Sequence, residues 1–336
     1  MTELLTLPQW SYAYGSPAST GVIKTQPDDF IVEEQLPFEA DGTGEHVFVQ
    51  IQKQGENTDY VARVLARVAK VRQRDIGVAG LKDRHGLTTQ WFSVWLPGKA
   101  TPDWSEVETE TIKVLQSTRH TRKLKRGVLT GNQFQLLIRD FSGDREACQR
   151  QLNQIKMLGF PNYFGSQRFG LQGKNIDTVL ALFAGTRKIK RPQRGIYLSA
   201  ARSYLFNQIL SHRVENNSWD SALEDDILMF ADSNSYFKVT ALDDELKQRI
   251  SQGILHPTGC LYGKGEVLAN EMNLLTPYDA LTTGLVKFDL ESDRRVLRVI
   301  PQNLQWQFLT PEQLQLRFFL PAGGYATALL REIINF

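Results

Sequence analysis

Cysteine is scarce in this chain: two residues, Cys148 and Cys260, among 336. That excludes a disulfide framework as the organising device, and a bond between the two is not expected in a reducing compartment. Cys148 falls in a helical pattern, as a small core residue. The five histidines, His46, His85, His120, His212 and His256, have no metal-ligand spacing. A His-Glu-x-x-His pair, a Cys-x-x-Cys pair and a Walker-type glycine loop are all missing. Neither a metal nor a nucleotide cofactor is expected. No window approaches the ~18 consecutive apolar residues of a membrane span. The first residues, MTELLTLPQWSYAYG, lack a basic segment followed by an apolar run, so no secretory signal is expected. The protein is expected in the cytosol, away from membranes.

What is present is core-forming material. Hydrophobic residues make up 41% and aromatic residues 10%, enough for a dense interior, and the length suits about two domains. The net charge of +2 excludes nothing, but its distribution is uneven. Residues 119–126 carry Arg119, Arg122, Lys123, Lys125 and Arg126 without an acid, and residues 187–194 carry Arg187, Lys188, Lys190, Arg191 and Arg194 without one. Acids gather at 224–226 and 243–245. Such runs serve either as solvated faces or as surfaces that meet phosphates, and both readings stand on charge alone.

The first ~158 residues alternate between strands and helices. Strands are expected at Phe30–Val32, Val47–Ile51, Trp91–Leu96, Ile112–Leu115 and Phe134–Ile138, all rich in β-branched and aromatic residues. Tyr60, Val61, Val64, Leu65, Val68 and Val71 recur at helical steps, with Thr58 or Asp59 as the cap. A second helix follows Asp144, buries Cys148, Leu152 and Ile155, and stops at Gly159 before Pro161. From there to about residue 300 the texture changes, with Gly- and Arg-rich loops at 165–174 and 256–265 around helices such as Ser203–Arg213. A late apolar run, Leu314–Leu320, needs a sheet to join, and the N-terminal strands offer one. The expected division is therefore one discontinuous domain, residues 1–158 with 301–336, interrupted by an insertion at 159–300.

The sharpest local feature is Gly80-Leu-Lys-Asp-Arg-His-Gly-Leu-Thr-Thr-Gln-Trp91. Asp83 stands between Lys82 and Arg84 in a glycine-bounded loop before a strand. Neighbouring cations keep a carboxylate ionised, and a partly dry cleft turns it into a nucleophile or base. On spacing alone, an exposed local ion pair worth ~0–1 kcal/mol is the simpler reading.

Several segments together resemble the tRNA pseudouridine synthase D (TruD) family. Gly80, Lys82, Asp83, Arg84, Thr88 and Gln90 match its Gly-x-Lys-Asp-[Arg/Lys]-x-x-x-Thr-x-Gln loop. Upstream, Lys24-Thr-Gln-Pro-Asp-Asp-Phe30-Ile-Val-Glu-Glu34 is similar to its first segment. Downstream, Gly131-Asn132-Gln133-Phe134, Pro161–Gly170, Leu198–Asn207 and Leu320-Pro-Ala-Gly-Gly-Tyr325-Ala-Thr follow in family order. Tyr325 stands where close bacterial relatives carry Phe, and its hydroxyl then needs a hydrogen-bond partner. Thr258-Gly259-Cys260 is a looser match to a Pro-rich glycine loop.

The resemblance implies an α+β fold: a pseudouridine-synthase-like catalytic domain with a mixed, mainly antiparallel sheet, and an inserted α/β TRUD domain that forms a cleft with it. It implies a cofactor-independent isomerase that converts uridine 13 of the tRNA D-arm to pseudouridine. Asp83 is the implied catalytic carboxylate, attacking the sugar C1′ or removing a sugar proton, with both routes open. Lys24 is its implied ion-pair partner, while Lys82 and Arg84 support the loop or face the RNA backbone. Phe30, Phe134 and Tyr325 are the rings expected to stack on an extruded base. Asn132 is expected to read the uracil edge or to fix the loop. Arg119, Arg122, Lys123, Lys125, Arg126, Arg187, Lys188, Lys190 and Arg191 are expected to contact the backbone of the tRNA elbow and D-arm, the protein acting as a monomer. The alternative is a tRNA-binding or tRNA-folding protein without turnover, which would have no need of Asp83.

Overall fold

The computed structural model describes residues 7–336. The signal-peptide expectation rests in part on residues 1–6 and to that extent lies outside them. The described chain divides into two compact units, each of which interleaves distant stretches of sequence.

The first unit comprises residues 18–145, 301–324 and 334–336. Its strands are β1 (Ser19–Val22), β2 (Phe30–Gln35), β3 (His46–Lys53), β4 (Ile76–Val78), β5 (Leu87–Trp95), β6 (Ile112–His120) and β7 (Gly131–Gly143), joined by the late pair Gln302–Thr310 and Gln313–Pro321. They make one nine-stranded sheet in the order Gln302–Thr310, Gln313–Pro321, β7, β2, β5, β3, β6, with β1 also on β7 and β4 on β5. Only β2 and β5 run parallel among these pairs, so the sheet is mixed and mainly antiparallel. Period-two alternation explains one packed face. Val47, Val49 and Ile51 are closed to solvent and meet Phe92 and Val94 under Val61, Val64 and Leu65 of helix α1 (Thr58–Val68). The apolar run expected to seek a sheet does so. Leu314, Leu316, Phe318 and Leu320 are fully buried and lie opposite Ile138, Leu136, Phe134 and Asn132.

Helix α1 ends earlier than the periodicity suggests, because Lys70 takes a left-handed φ of 50°. Its N-cap is Asn57, neither Thr58 nor Asp59; the Thr58 hydroxyl is engaged elsewhere, as shown below.

The second unit comprises residues 7–17, 146–300 and 325–333. It thus takes in three pieces that the sequence division placed with the first domain: the N-terminal stretch, the Arg145–Leu158 helix from Glu146 on, and residues 325–333. Trp10 stacks on Tyr163 with ring centroids 6.2 Å apart, Ala13 N–H donates to Glu332 Oε2 at 2.9 Å, and Tyr14 Oη donates to Gly159 O at 2.6 Å. A four-stranded antiparallel sheet of Tyr236–Lys238, Ile227–Phe230, Leu255–Leu261 and Asp293–Val296 packs with helices. The helix expected at Ser203–Arg213 spans Arg191–Glu215. Its first two turns are largely exposed and carry no apolar stripe, so periodicity signals only the buried part. The loop expected at 256–265 is strand as far as Leu261. Pro257 and Gly259 speak against a strand, but Leu255–Pro257 pairs with Ile227–Phe230 and Thr258–Leu261 with Asp293–Val296, so the missing proline N–H falls where the strand changes partner. Both cysteines are buried, and neither is in a disulfide. No helix among the described residues is long and apolar enough to cross a membrane.

Candidate functional site

Asp83 lies in the loop between β4 and β5, held from several sides within the first unit. Its Oδ2 forms an ion pair with Lys24 Nζ, and its Oδ1 accepts the main-chain N–H of His85 at 2.9 Å. Its carbonyl accepts from Lys53 Nζ at 3.0 Å, and Lys53 also donates to Glu56 O at 2.8 Å. Arg84 closes the flank, its Nε donating to Gly55 O at 2.7 Å and its carbonyl accepting the Gly55 N–H at 3.0 Å. Gln90, closed to solvent, bonds Gly80 O at 3.2 Å and accepts the Thr58 hydroxyl at 2.9 Å. Thr58 Oγ1 in turn accepts the Lys82 N–H at 3.1 Å. That is why Thr58 does not cap α1: its hydroxyl fastens the loop.

Burial pushes the Asp83 carboxyl up, but the Lys24 hydrogen bond, the His85 N–H and the charges of Lys24 and His85 more than reverse this, leaving it below its ordinary value. The ionised form therefore dominates at neutral pH. The cation responsible is Lys24, 59 residues away, and not the sequence neighbours Lys82 and Arg84. Lys24 sits at φ 59°, in the left-handed region that a lysine adopts at a cost of ~1–2 kcal/mol. Its ammonium also lies 4.2 Å from the centroid of the Phe30 ring. The turn between them is anchored by Asp29, whose carboxylate takes the Arg139 guanidinium at 2.9–3.0 Å and the Gln26 N–H at 2.9 Å. Gly86 is obligatory here: a Cβ would stand 2.4 Å from Phe30 O.

Lys82 turns away from Asp83 and into the sheet. Its ammonium is 2.8 Å from Glu34 Oε2, both side chains nearly closed to solvent, and it donates to Asn132 Oδ1 at 2.7 Å. It does not face outward as a backbone contact would. Phe30 and Phe134 are 5% and 6% exposed and meet edge to face at 6.1 Å, while Phe134 also stacks on Phe318 at 5.3 Å. Both rings are wall rather than open platform. Tyr325, in the second unit, is half-buried beside Phe164, and its hydroxyl has the partner it needs in Arg168, which donates at 2.9 Å.

Two of the cations expected on RNA are occupied by main-chain carbonyls. Arg119 donates to Lys99 O at 2.7 Å and Lys123 to Arg74 O at 2.6 Å. Arg122, Lys125, Arg126, Lys188, Lys190 and Arg191 are exposed, as is Arg187, which donates to Thr178 Oγ1 at 3.2 Å. Among the described residues no three His, Cys, Asp or Glu side chains gather to hold a metal ion.

The model for tRNA pseudouridine synthase D (TruD) matches residues 7–182 and 177–333. The tRNA pseudouridine synthase D of Methylococcus capsulatus is 46% identical over 331 residues, covering 96% of this chain and 94% of that protein. That of Nitrosococcus oceani is 46% identical over 334 residues, covering 96% and 93%. The chain belongs to the TruD family. With membership goes the coarse assignment of a pseudouridine synthase that modifies tRNA. A crystal structure of a Methanosarcina mazei chain named for the same family superposes with a TM-score of 0.72 over 96% of this chain and 95% of that one. At 22% identity it bears on the fold alone, and it agrees with the mixed-sheet α+β architecture.

Within this TruD chain, Lys53 is the site residue that motif reading passes over. A signal was there: Lys53 continues the Val47, Val49, Ile51 alternation and so falls on the buried face. Its ammonium bonds two carbonyls, and burial pushes its pKa down to about 8, against the pull of Asp83 and Glu56 and together with the charge of Lys82. Glu34 escaped notice for a different reason. Its importance lies in what it holds, Lys82 and the Trp91 N–H at 3.1 Å, and neither contact has a sequence signature.

Proposed function

We propose that the protein isomerises uridine 13 in the tRNA D-arm to pseudouridine, with Asp83 as the catalytic carboxylate. In this reading residues 1–158 and 301–336 supply the catalytic domain, residues 159–300 supply the TRUD insertion, and the protein works in the cytoplasm as a monomer. The observation that carries it is an ionised, loop-clamped Asp83 paired with Lys24, the two standing in separate segments that each match the family's pattern.

The reaction breaks the N1–C1′ bond, turns the base and forms a C5–C1′ bond. C5 gives up a proton and N1 gains one, so composition is unchanged and no cofactor is consumed. Attack on C1′ and removal of a sugar proton both need an unprotonated carboxylate, which Lys24 and the His85 N–H favour. The Lys53 bond to the Asp83 carbonyl keeps the loop from swinging as charge shifts on the carboxylate. A uridine must leave its stack to be reached. Tyr325 is the one of the three expected rings that keeps appreciable exposure and so is available to a base, whereas Phe30 and Phe134 form the wall behind Lys24. Asn132 meets the base edge, and the exposed cations Arg122, Lys125, Arg126, Arg187, Lys188, Lys190 and Arg191 meet the backbone.

The test is to map pseudouridine in total tRNA from cells carrying the native chain, the Asp83→Asn chain or neither. Pseudouridine at position 13 should depend on the native chain alone. Modification at another position would overturn the site, and persistence with Asp83→Asn would overturn the catalytic role.

A further inference from the structure

An ammonium has donors and no acceptor. The atom of Asn132 that faces Lys82 at 2.7 Å is therefore the carboxamide oxygen, a conclusion that does not depend on telling N from O in the side chain. The arrangement has little freedom. Glu34 and Asn132 are direct cross-strand partners on β2 and β7, and Lys82 bridges them with its side chain 6% exposed and that of Glu34 0%. Glu34 Oε1 is itself held by the Trp91 N–H at 3.1 Å. The Asn132 Nδ2 donors consequently point away from Lys82, from a half-buried position next to the reactive loop, and no protein acceptor takes them among the described residues.

We propose that Lys82 is a specificity-positioning residue: by fixing the Asn132 carboxamide with its donors outward, it makes the site select a pyrimidine that carries carbonyl oxygens at both C2 and C4. The proposal rests on the reading above, in which Asn132 meets the base. Both oxygens matter because of the reaction's geometry. The turn that exchanges N1 with C5 runs about the N3–C6 axis, so it also exchanges O2 with O4. A donor that holds one oxygen before the turn meets the other after it, and uracil satisfies the amide in both orientations. Cytosine presents an oxygen on one side and an amino group on the other, so in one orientation donor faces donor. Stacking alone cannot make this distinction, since every base offers a ring face.

The test measures binding to full-length Asp83→Asn protein, in which turnover is held off. The probes are tRNA transcripts with uridine, cytidine, pseudouridine or pseudocytidine (the C5-linked cytosine nucleoside) at the target position. The first pair reports the base before the turn and the second pair the base after it. The uridine-over-cytidine ratio multiplied by the pseudouridine-over-pseudocytidine ratio is expected to reach about tenfold or more. Adding Asn132→Asp leaves only an acceptor facing the base, and the product should fall below one. Adding Glu34→Gln with Lys82→Gln removes the forced orientation without stranding a buried charge, and the product should fall towards one. A product within about twofold of one in the starting protein, or unchanged in both variants, overturns the proposal. Turnover by Asp83→Asn overturns the reading beneath it instead, so the two failures are distinguishable.

Discussion

The buried ion pairs of the second unit and the ion pairs around Asp83 are built differently. In the second unit, Arg294 takes both oxygens of Glu271 at 2.7 and 3.0 Å and also binds Thr258 through Oγ1 and the carbonyl. Arg213 grips Asp226 at 2.9 Å on both oxygens and ties down Ser218 and Ser221. Each guanidinium grips its carboxylate with two nitrogens and binds further oxygens besides. Around Asp83 the cations are lysines, each a single point: Lys24 on the carboxylate, Lys53 on the carbonyl, Lys82 on Glu34 and Asn132. The carboxylate keeps 22% of its side-chain surface, and its partner sits on strained backbone. Forked arginines hold a fold together, whereas point contacts leave a charge able to react.

Four experiments break or sharpen this contrast, from the largest effect to the smallest. Asp83→Asn should lower pseudouridine formation by at least about a thousandfold, while thermal unfolding stays close to the parent's; an unfolded variant would put Asp83 in the structural class instead. Arg294→Met should do the reverse. Removing one partner of a buried pair costs about 3–5 kcal/mol, readable by urea denaturation, and the protein that remains folded should retain turnover. Lys24→Gly tests the strained lysine. It should cost little stability, because the glycine relieves the left-handed φ, yet the acid limb of the pH–rate profile should move up by about one pH unit once the cation is gone. An unmoved limb would show that Lys24 does not govern Asp83.

The smallest effect is the pH dependence of stability, which in both units comes from a cationic group whose pKa burial lowers. Lys53 is pushed down to about 8 from 10.5. Between those values the unfolded chain binds more protons, so stability should rise with pH there. Lys53→Met should flatten that rise. His256 is pushed down by burial, and further by the charge of Arg298, to about 4 from 6.5. Its contribution is present above pH 6.5 and lost as pH falls towards 4, and His256→Gln should remove that slope. Urea titrations at stepped pH check both.

Much of the frame was legible because strand alternation and helix periodicity are local. β3, α1 and the Leu314–Leu320 run were each anticipated in kind and with nearly the right ends. The Asp83 loop was legible as a motif, and Lys24 through resemblance. The direction of Lys82 was not. From the sequence it is a neighbour of Asp83, but a loop residue's side chain follows its backbone, and this backbone sends it to Glu34. The burial of Phe30 and Phe134 was equally hidden, since a packed ring and a stacking platform have the same sequence. The unit boundaries slipped at Pro17 and Tyr325 because aromatic packing across more than 150 residues, such as Trp10 on Tyr163, leaves no trace in local composition.

By itself the sequence determined the motif around Asp83, the family and the alternating strands that frame the loop, since all three are written in residues close together along the chain or in a fixed order. Tertiary structure alone decided where Lys82 turns, which way the Asn132 amide points and which rings stay open. Those depend on a few ångströms of direction between strands, and a charge or an amide acquires its role only from what lies across that gap.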